Sequence, residues 1–483
     1  MKKTALILAL FIALCCLPCF SACNETKRTN YQISLNFDGE RTVNGEQTVE
    51  FFNDTEDVVD ELWFNLFANA YRQNATYKPI SEVHKVTAYY EGESYGNIEI
   101  SSVKVDGAPA DYQITGKDQT ILSVALGKEL FPYEKVKIDI VFSVSLAHVI
   151  SRTGINQSTI NLANVYPILC VFDNGTFYEC NYYSTGDPFY SECADYNVIV
   201  SVPERFQVVG AGNKIEERVE SGIKSASFKL ENARSFAIVV SDKFKTLSES
   251  VNGIAVNYYY YVDENPSEHI EYAKKSLTKF GELFGKYPYQ TYNVVQTGFL
   301  EGGMEYPTLV MISDALDVRA IGEVIVHETA HQWWQSVVGN NEIEYAFLDE
   351  GLAEYSVLLF YETHPEYGLT REDLVKNAES TYKLYCTVYE KLFGRADTRM
   401  LRNLGEYNGE YEYVNTAYVK PCIMYDCLRT TIGDDDFFGA LKKYYRDYAY
   451  KNATPDDLVG AFVKTGADVE GFFKSFFDGK AIL

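Results

Sequence analysis

The chain has little positive charge. Lys and Arg number 43 against 68 Asp and Glu, which gives a formal net charge of −25. Phosphate backbones and anionic lipid headgroups are bound by clustered cations, so this composition argues against nucleic acid as a partner and against electrostatic adhesion to membranes. An acidic surface instead attracts cationic ligands, and the free amino terminus of a peptide is one. Solubility outside the cell explains the same charge equally well.

Cysteine pairs with the spacing of a metal ribbon or a redox motif are absent after the first 23 residues. The cysteines there are Cys170, Cys180, Cys193, Cys386, Cys422 and Cys427, and no two of them form C-x-x-C. This spacing argues against a zinc ribbon or a thioredoxin-like site. Disulfides are compatible with an exported protein, but the sequence leaves their connectivity open.

The N-terminus lacks an apolar run long enough to span a membrane and is typical of a signal peptide, residues 1–22. Its apolar run, Leu6 to Leu14, is too short for a permanent span. Phe20-Ser21-Ala22 then leads into Cys23, which resembles a bacterial lipoprotein signal; plain secretion is the alternative. Residues 23–30 are expected to form a lipid anchor and spacer. The protein would then lie outside the cytoplasmic membrane, attached to it but not crossing it.

Repeats and low-complexity tracts are also absent, and the composition is that of a packed protein. Hydrophobic residues make up 46% and aromatic residues 15% of the chain. The length of 483 residues predicts two or three domains. Residues 31–245 alternate apolar and polar side chains in short segments such as 31–37, 136–142 and 196–203. This pattern predicts a β-rich N-terminal domain, either a saddle-like sheet or a sandwich.

The pattern changes at about residue 246. Asn265-Pro266-Ser267 is typical of a helix start, and strands are predicted at 292–299 and 308–312. Mostly helical patterns follow. Residues 246–483 are therefore predicted to form a second domain of the α+β class, a small sheet beside helices.

Histidine is rare, with six in the chain, yet two lie in one motif, H-E-T-A-H from His327 to His331. Residues four apart share a helix face, so both imidazoles can bind one metal ion. Glu350, separated from the second His by eighteen residues, is the natural third ligand of a catalytic Zn²⁺. Zinc lowers the pKa of a bound water to about 7. Glu328 is then placed to take that water's proton as general base.

The surroundings of the motif favour two helices that converge on one ion. Apolar residues 321–326 precede the motif, and Gly339-Asn340-Asn341 is a stop-and-turn signal. Residues 348–355 are typical of the start of a second helix, which carries Glu350. Glu354 lies one turn after Glu350. It either orients a ligating His or is merely solvated, and the sequence leaves both open.

With these residues identified, the chain resembles the gluzincin aminopeptidases of the aminopeptidase N type. That family carries H-E-x-x-H, eighteen residues, then Glu, with a G-A-M-E-N-like loop upstream. Here the loop is Gly302-Gly303-Met304-Glu305-Tyr306, in which Gly303 replaces Ala and Tyr306 replaces Asn. The resemblance covers nearly all of residues 31–483, including the Gly186-Asp187-Pro188-Phe189 region. It implies a thermolysin-like catalytic domain with one Zn²⁺.

The resemblance also implies roles in substrate binding for the loop. Glu305 would hold the α-ammonium of the substrate through a charge-assisted hydrogen bond. Gly302 and Gly303 would let the backbone approach the substrate, with Met304 as a further loop residue at the substrate. A second amine-binding residue is expected near Asn161 to Tyr166, where Asn161 and Asn164 are the candidates.

An oxyanion donor is the last role that the resemblance implies. The family uses a Tyr in a Y-x-K-G-like segment, and Tyr418-Val419-Lys420-Pro421 matches it with Pro421 in place of Gly. Tyr413 is a second candidate for this role.

The expected function is zinc-dependent aminopeptidase activity on peptides with a free amino terminus. The alternatives are a zinc endopeptidase or other zinc hydrolase, and a non-catalytic surface module that binds peptides. Longer family members carry a further helical domain over the pocket, whereas this sequence stops at Leu483. A more open site, or closure by a second copy of the chain, is therefore expected.

Overall fold

The computed structural model describes residues 28–463 and 469–481. The predicted signal peptide and Cys23 lie outside these residues. Among the described helices, none has the length and apolar character needed to cross a bilayer.

The strands, numbered in chain order, have the following bounds. They are β1 Asn30–Phe37, β2 Thr42–Phe52, β3 Val59–Asn65, β4 Asn97–Val105, β5 Ala108–Pro109, β6 Tyr112–Thr115, β7 Ile121–Leu130, β8 Lys135–Ser145, β9 Thr153–Ile155, β10 Ile160–Leu162, β11 Ile168–Leu169, β12 Phe172–Asp173, β13 Thr176–Phe177, β14 Ala194–Pro203, β15 Gln207–Gly210, β16 Asn213–Glu220, β17 Ile223–Ala233, β18 Ile238–Ser241, β19 Lys245–Val251, β20 Ile254–Tyr260, β21 Thr291–Thr297, β22 Gly303–Met304, β23 Leu309–Ser313, β24 Val338–Gly339 and β25 Lys451–Asn452.

The helices are numbered in the same way. The α-helices are α1 Lys85–Ala88, α2 Pro266–Leu283, α3 Val318–Ala330, α4 Glu342–Tyr345, α5 Phe347–Thr363, α6 Arg371–Phe393, α7 Glu410–Tyr413, α8 Lys420–Ile432, α9 Asp434–Asp447, α10 Pro455–Val463 and α11 Val469–Phe477. A π-helix spans Val414–Val419, and 3₁₀ turns lie at Phe67–Tyr71, Pro365–Tyr367 and Leu404–Glu406.

The N-terminal half is built on an eight-stranded sheet in the order β16-β17-β14-β1-β2-β8-β4-β5. Alternate residues of β1 and β8 are buried, because successive side chains of a strand point to opposite faces. Two four-stranded sheets, β15-β18-β10-β9 and β11-β3-β7-β6, share its apolar core. These sheets confirm the predicted β-rich domain.

The second half begins with a five-stranded sheet in the order β19-β20-β21-β23-β22. β20, β21 and β23 are parallel, and the edge strand β22 runs antiparallel to β23. Helices α2, α3, α5 and α8 to α11 pack beside this sheet around a second apolar core. The predicted order, a β-rich domain followed by an α+β helical domain, is confirmed. The strand β18 ends at Ser241 and β19 begins at Lys245.

The start of α3 is fixed by a side-chain cap. Asp317 accepts hydrogen bonds from the backbone N–H groups of Arg319 and Ala320, at 3.0 and 2.9 Å. These bonds satisfy amides that the first turn of a helix leaves without partners. The cap, ten residues before His327, thus fixes where α3 begins.

A buried arginine joins the two halves. Arg234, directly after β17, is 2% exposed. Its guanidinium donates to the carbonyls of Gln335 (2.8 Å) and Lys451 (2.5 Å) in the second half, and to that of Ser191 (2.9 Å) in the first. Because each of these acceptors would be desolvated without a donor, the arginine fixes the β-rich domain against the helical one.

Candidate metal centre and cavity

Three side chains on α3 and α5 bring their polar atoms to one point. His327 Nε2 and His331 Nε2 lie 3.0 Å apart. Each of them is 3.2 Å from Glu350 Oε2. The two His are four residues apart at the end of α3, and Glu350 lies in the first turn of α5. The structure therefore brings together the three residues that the sequence predicted as metal ligands.

Each histidine is also held by its second nitrogen. His327 Nδ1 lies 3.3 Å from Glu354 Oε2, and His331 Nδ1 lies 3.0 Å from the carbonyl oxygen of Trp334. Such contacts fix the ring orientation and direct the other nitrogen towards a metal. Of the two roles left open for Glu354, its position corresponds to the orienting one.

The charges at this point are those of a cation site. Burial opposes the charge on His327, but its bonds to Glu350 and Glu354 raise its pKa to about 10. Burial also opposes ionisation of Glu350, yet His331 and His327 hold the pKa of that carboxyl well below its ordinary range. The buried carboxylate thus requires positive charge beside it, which a metal ion supplies on replacing the two imidazole protons.

These groups open onto a cavity of about 460 Å³ lined by both halves of the chain. The helical half contributes α3, α5, Gly303, Glu305 and Tyr418, and the β-rich half contributes Arg152 and Asp187. A site formed at the junction of two domains is a common place for a ligand.

Glu328 faces the cavity beside the cluster. Its side chain is 4% exposed, and Oε2 has no hydrogen-bond partner among the described residues. Burial raises its pKa to about 7, against the opposing effect of His327 and His331. A carboxyl with that pKa can both accept and release a proton near neutrality.

Gly303 leaves the space that Glu328 occupies. A Cβ at this position would lie 2.3 Å from Glu328 Oε1. Any side chain here would displace the carboxylate, so the glycine permits close contact between β22 and α3.

Glu305 is a second buried carboxyl with a free oxygen. It follows β22, is 3% exposed, and its Oε1 has no partner among the described residues. Burial and the charge of Asp187 raise its pKa well above the ordinary value, with His331 acting in the opposite direction. A buried acceptor without a donor is costly, so this position suits a cationic ligand that donates hydrogen bonds.

Tyr418 and Tyr413 both reach the cavity, although they are five residues apart. In an α-helix they would point about 140° apart. The π-helix Val414–Val419 brings them to one side, and their ring centroids are 5.5 Å apart. The Tyr418 ring also stacks on His327, with centroids 5.7 Å apart and an interplanar angle of 12°. Single π turns are frequent at functional sites.

The end of the π-helix is held by a buried lysine. Lys420 is 0% exposed, and its ammonium donates to the carbonyls of Thr398 (2.5 Å) and Phe476 (2.7 Å). Burial lowers its pKa to about 8. Because Phe476 belongs to α11, the last described helix supports the segment that carries Tyr418.

Other predicted residues lie off the cavity wall. The side chain of Met304 is buried in the core of the β-rich half, and Gly302 is not part of the cavity lining. Asn161 donates to the carbonyls of Ser151 and Gly298, at 2.8 and 3.2 Å. Asn164 Oδ1 accepts from the Tyr306 hydroxyl at 2.9 Å. Both amides are occupied by protein partners.

The structure adds Arg152 and Asp187 to the cavity. The Arg152 guanidinium pairs with the Asp187 carboxylate, and both are largely buried. Asp187 lies in the Gly186-Asp187-Pro188-Phe189 region, which the sequence singled out without a role. Arg152 had no motif around it, so no sequence signal identified it.

The sequence comparisons find one family model and several curated relatives. Residues 268–476 match the model of the Peptidase family M1 domain. Aminopeptidase N of Lactobacillus helveticus is 24% identical over 396 residues, covering 77% of this chain and 44% of that protein. Aminopeptidase M1-A of Oryza sativa subsp. japonica is 24% identical over 288 residues, covering 56% of this chain and 32% of that protein. The chain thus spans less than half the length of these relatives.

Solved structures share the fold along nearly the whole chain. The crystal structure of an M1 zinc metallopeptidase from Deinococcus radiodurans has a TM-score of 0.67 at 16% identity, covering 95% of this chain and 96% of that one. A mutant of an M1 zinc metallopeptidase from the same organism, bound to a Tyr-Ser-Ala substrate, has a TM-score of 0.66 at 17% identity, covering 95% of both chains.

Proposed function

We propose that this chain is a member of peptidase family M1, of its gluzincins of the aminopeptidase N type, and that it is a zinc-dependent aminopeptidase that hydrolyses the first peptide bond of peptides. One observation carries the proposal. The buried, unpartnered Glu305 carboxyl shares a cavity with the convergent His327, His331 and Glu350. A metal cluster alone suits many hydrolases, whereas a fixed carboxylate at its side suits a substrate with a free amino group.

The donor set fits zinc. Two imidazole nitrogens and one carboxylate oxygen meet within 3.2 Å of one another, and catalytic zinc sites use three such protein ligands. His327, His331 and Glu350 would hold the ion. When bound, zinc activates water and polarises a carbonyl group.

Glu328 is the acid–base residue in this proposal. Its free oxygen accepts a proton from the attacking water and then delivers that proton to the leaving amine. The pKa of about 7 suits both transfers. Tyr418, whose pKa burial raises well above its ordinary value, keeps its proton and donates a hydrogen bond to the oxyanion.

Glu305 sets where the chain is cut. Its carboxylate accepts hydrogen bonds from the α-ammonium of the substrate, which places the first carbonyl group at the metal centre. Burial and the charge of Asp187 raise the pKa of Glu305, and an ammonium group at this carboxyl would favour its ionised form.

The decisive experiment compares aminoacyl reporters with free and N-acetylated amino termini, using the purified protein loaded with zinc. Hydrolysis of only the free forms supports the aminopeptidase. Hydrolysis of blocked peptides, with no loss in Glu305→Ala, would instead indicate an endopeptidase or another zinc hydrolase. A zinc-loaded protein that binds peptides and cleaves none would indicate a non-catalytic binding module.

We further propose that the protein acts outside the cytoplasmic membrane of a bacterium, anchored by a lipid at Cys23. The support is the sequence around Cys23, which lies outside the described residues. Fractionation of cells that express the protein and its Cys23→Ala variant tests this. The lipid anchor predicts that the variant leaves the membrane fraction. Sizing of the released protein tests closure of the site by a second copy.

A further inference from the structure

One end of the cavity lies beyond the groups that carry out the proposed reaction, and only Glu354 in it has been given a role above. It is lined by the first turns of α3 and by α5 beyond Glu350; the residues are Ala320, Glu323, Val324, Glu354 and Val357. The spacing puts Ala320, Glu323, Val324 and His327 on one face of α3, and Glu350, Glu354 and Val357 on one face of α5.

This end lies on the opposite side of the metal centre from Glu305. Glu305 belongs to the His331 side, since ligand atoms of Glu305, His331 and Asp349 lie within 4.8 Å of one another. Glu354 contacts His327 instead, and the charged groups acting on Glu323 are Glu354, Arg319 and His327. A peptide whose ammonium sits at Glu305 and whose first carbonyl lies at the metal must continue towards His327.

We propose that this end binds the side chain of the residue after the cleaved bond, and that Glu323 selects Lys or Arg there. This proposal rests on the proposed aminopeptidase function. Glu323 lies four residues before His327, which is about 6 Å along the helix axis. An extended Lys or Arg side chain covers that length. Ala320, Val324 and Val357 offer apolar surface to its methylene groups, and Glu323 and Glu354 offer carboxylates to its charged end.

The charges at this end favour a cation. Glu323 has no ion-pair or hydrogen-bond partner among the residues that the structure describes, and Glu354 gives one oxygen to His327. Burial and the charge of Glu354 raise the pKa of the Glu323 carboxyl, and Arg319 and His327 only partly oppose them. The ammonium or guanidinium group of a substrate would relieve this repulsion.

Two other carboxyl oxygens of the cavity, both used in the proposed reaction, also lack a hydrogen-bond donor among the described residues. Glu305 Oε1 and Glu328 Oε2 are unpartnered, and these residues are 3% and 4% exposed. The cavity is thus built to receive groups that donate hydrogen bonds along its length. Its acidic far end continues that pattern with a side-chain pocket.

The test varies the second residue of a dipeptide at a constant first residue. We expect kcat/KM of the zinc-loaded enzyme for Ala-Lys and Ala-Arg to exceed that for Ala-Gln and Ala-Leu by about five- to tenfold, as a half-buried ion pair allows. Glu323→Gln should bring kcat/KM for Ala-Lys and Ala-Arg close to that for Ala-Gln and Ala-Leu. Glu323→Lys should favour Ala-Glu. Glu390→Gln, an exposed helical glutamate on α6 outside the cavity lining, is the matched control and should keep the preference.

Measurements of peptide binding test this inference separately from the proposed aminopeptidase function. In the Glu328→Gln variant loaded with zinc, calorimetry should show tighter binding of Ala-Lys-Ala than of Ala-Leu-Ala, and Glu323→Gln in that background should remove the difference. Equal rates and equal binding across the second residues, in an enzyme that cleaves only free amino termini, overturn the inference and leave the aminopeptidase intact. A cationic preference confined to the first residue also overturns it.

Discussion

At the scale of single residues, the site is defined by carboxyl oxygens that have no protein partner. Glu328 Oε2 and Glu305 Oε1 are both buried and free of hydrogen bonds within the described chain. Such groups destabilise a fold unless a ligand completes them, so their presence beside the histidines marks where reactants bind.

Replacement of Glu328 by Gln should separate metal binding from catalysis. The amide fills the same space beside Gly303 but cannot take a proton. We expect retained zinc, measured by metal analysis, and kcat lowered by about 10²- to 10⁴-fold. Near-normal turnover in a variant that still holds zinc would contradict the assignment of Glu328 as base.

Tyr418→Phe should remove one hydrogen-bond donor and leave the ring on His327. We expect kcat to fall by about 10²- to 10³-fold with little change in KM, because the lost bond forms only as the oxyanion develops. Tyr413→Phe is the matched control five residues earlier. A larger loss in that control would reassign the donor to Tyr413.

At the scale of elements, the site depends on how closely α5 approaches α8. A Cβ on Gly351 would lie 2.4 Å from Pro421 Cβ. Gly351 directly follows Glu350, the third of the proposed metal ligands, and Pro421 lies three residues after Tyr418. The contact therefore limits the distance between Glu350 and the tyrosine.

Gly351→Ala should force these two helices apart. We expect a loss of about 1–3 kcal/mol in the free energy of unfolding, together with weaker zinc binding. Gly439→Ala on α9 is the control, since a Cβ there meets nothing within 4 Å. An alanine at that position should stabilise its helix by about 0.5–1 kcal/mol. Equal stability changes in the two variants would refute the packing argument.

The start of α2 is tied to its surroundings by a charged histidine. His269 Nδ1 lies 2.6 Å from Asp263 Oδ2, and His269 Nε2 lies 2.9 Å from the carbonyl oxygen of Val318. Both partners are acceptors, so both ring nitrogens must carry hydrogen. Burial opposes this charge, but Asp263 outweighs burial and raises the pKa of His269. Burial likewise opposes ionisation of Asp263, whose pKa His269 lowers.

The directions of these two pKa shifts determine how the stability of the fold changes with pH. The raised pKa of His269 stabilises the fold fully below its unfolded pKa of about 6.5, and this contribution is lost as pH rises through the folded value. The lowered pKa of Asp263 contributes above about pH 4 and is lost in acid. His269→Gln should lower the free energy of unfolding by about 2–4 kcal/mol at pH 6. In urea unfolding, that free energy should then decline less steeply from pH 6 to 9 than in the unmodified protein. An unaltered slope of the free energy of unfolding against pH in His269→Gln would contradict the argument.

The sequence predicted those features that depend on local spacing. Two histidines four apart share a helix face wherever the helix lies, so His327 and His331 could be paired in advance. The convergence of Tyr413 and Tyr418 could not, because it needs a π turn that no residue between them signals. Arg152 meets Asp187 only through tertiary packing across 35 positions, and Met304 turns into the core because β22 pairs with β23.

At the scale of the whole molecule, Arg234 should control whether the halves unfold together. Arg234→Met keeps much of the buried length but leaves the carbonyls of Gln335, Lys451 and Ser191 without their donor. We expect the free energy of unfolding to fall by about 3–5 kcal/mol and the single calorimetric unfolding transition to split into two. Arg205→Met, at an exposed site in the first half, should keep a single transition, and a single transition in Arg234→Met would refute this role.

The position of Lys420 determines when, during synthesis of the chain, the segment that carries Tyr418 gains its support. Tyr418 is supported by Lys420, and Lys420 needs the carbonyl of Phe476 in α11. The wall on the other side of the cavity comes from Arg152 and Asp187, more than two hundred residues earlier. A growing chain therefore has the metal motif before it has the finished cavity. Tyr418 gains its support only after α11 has docked against Lys420.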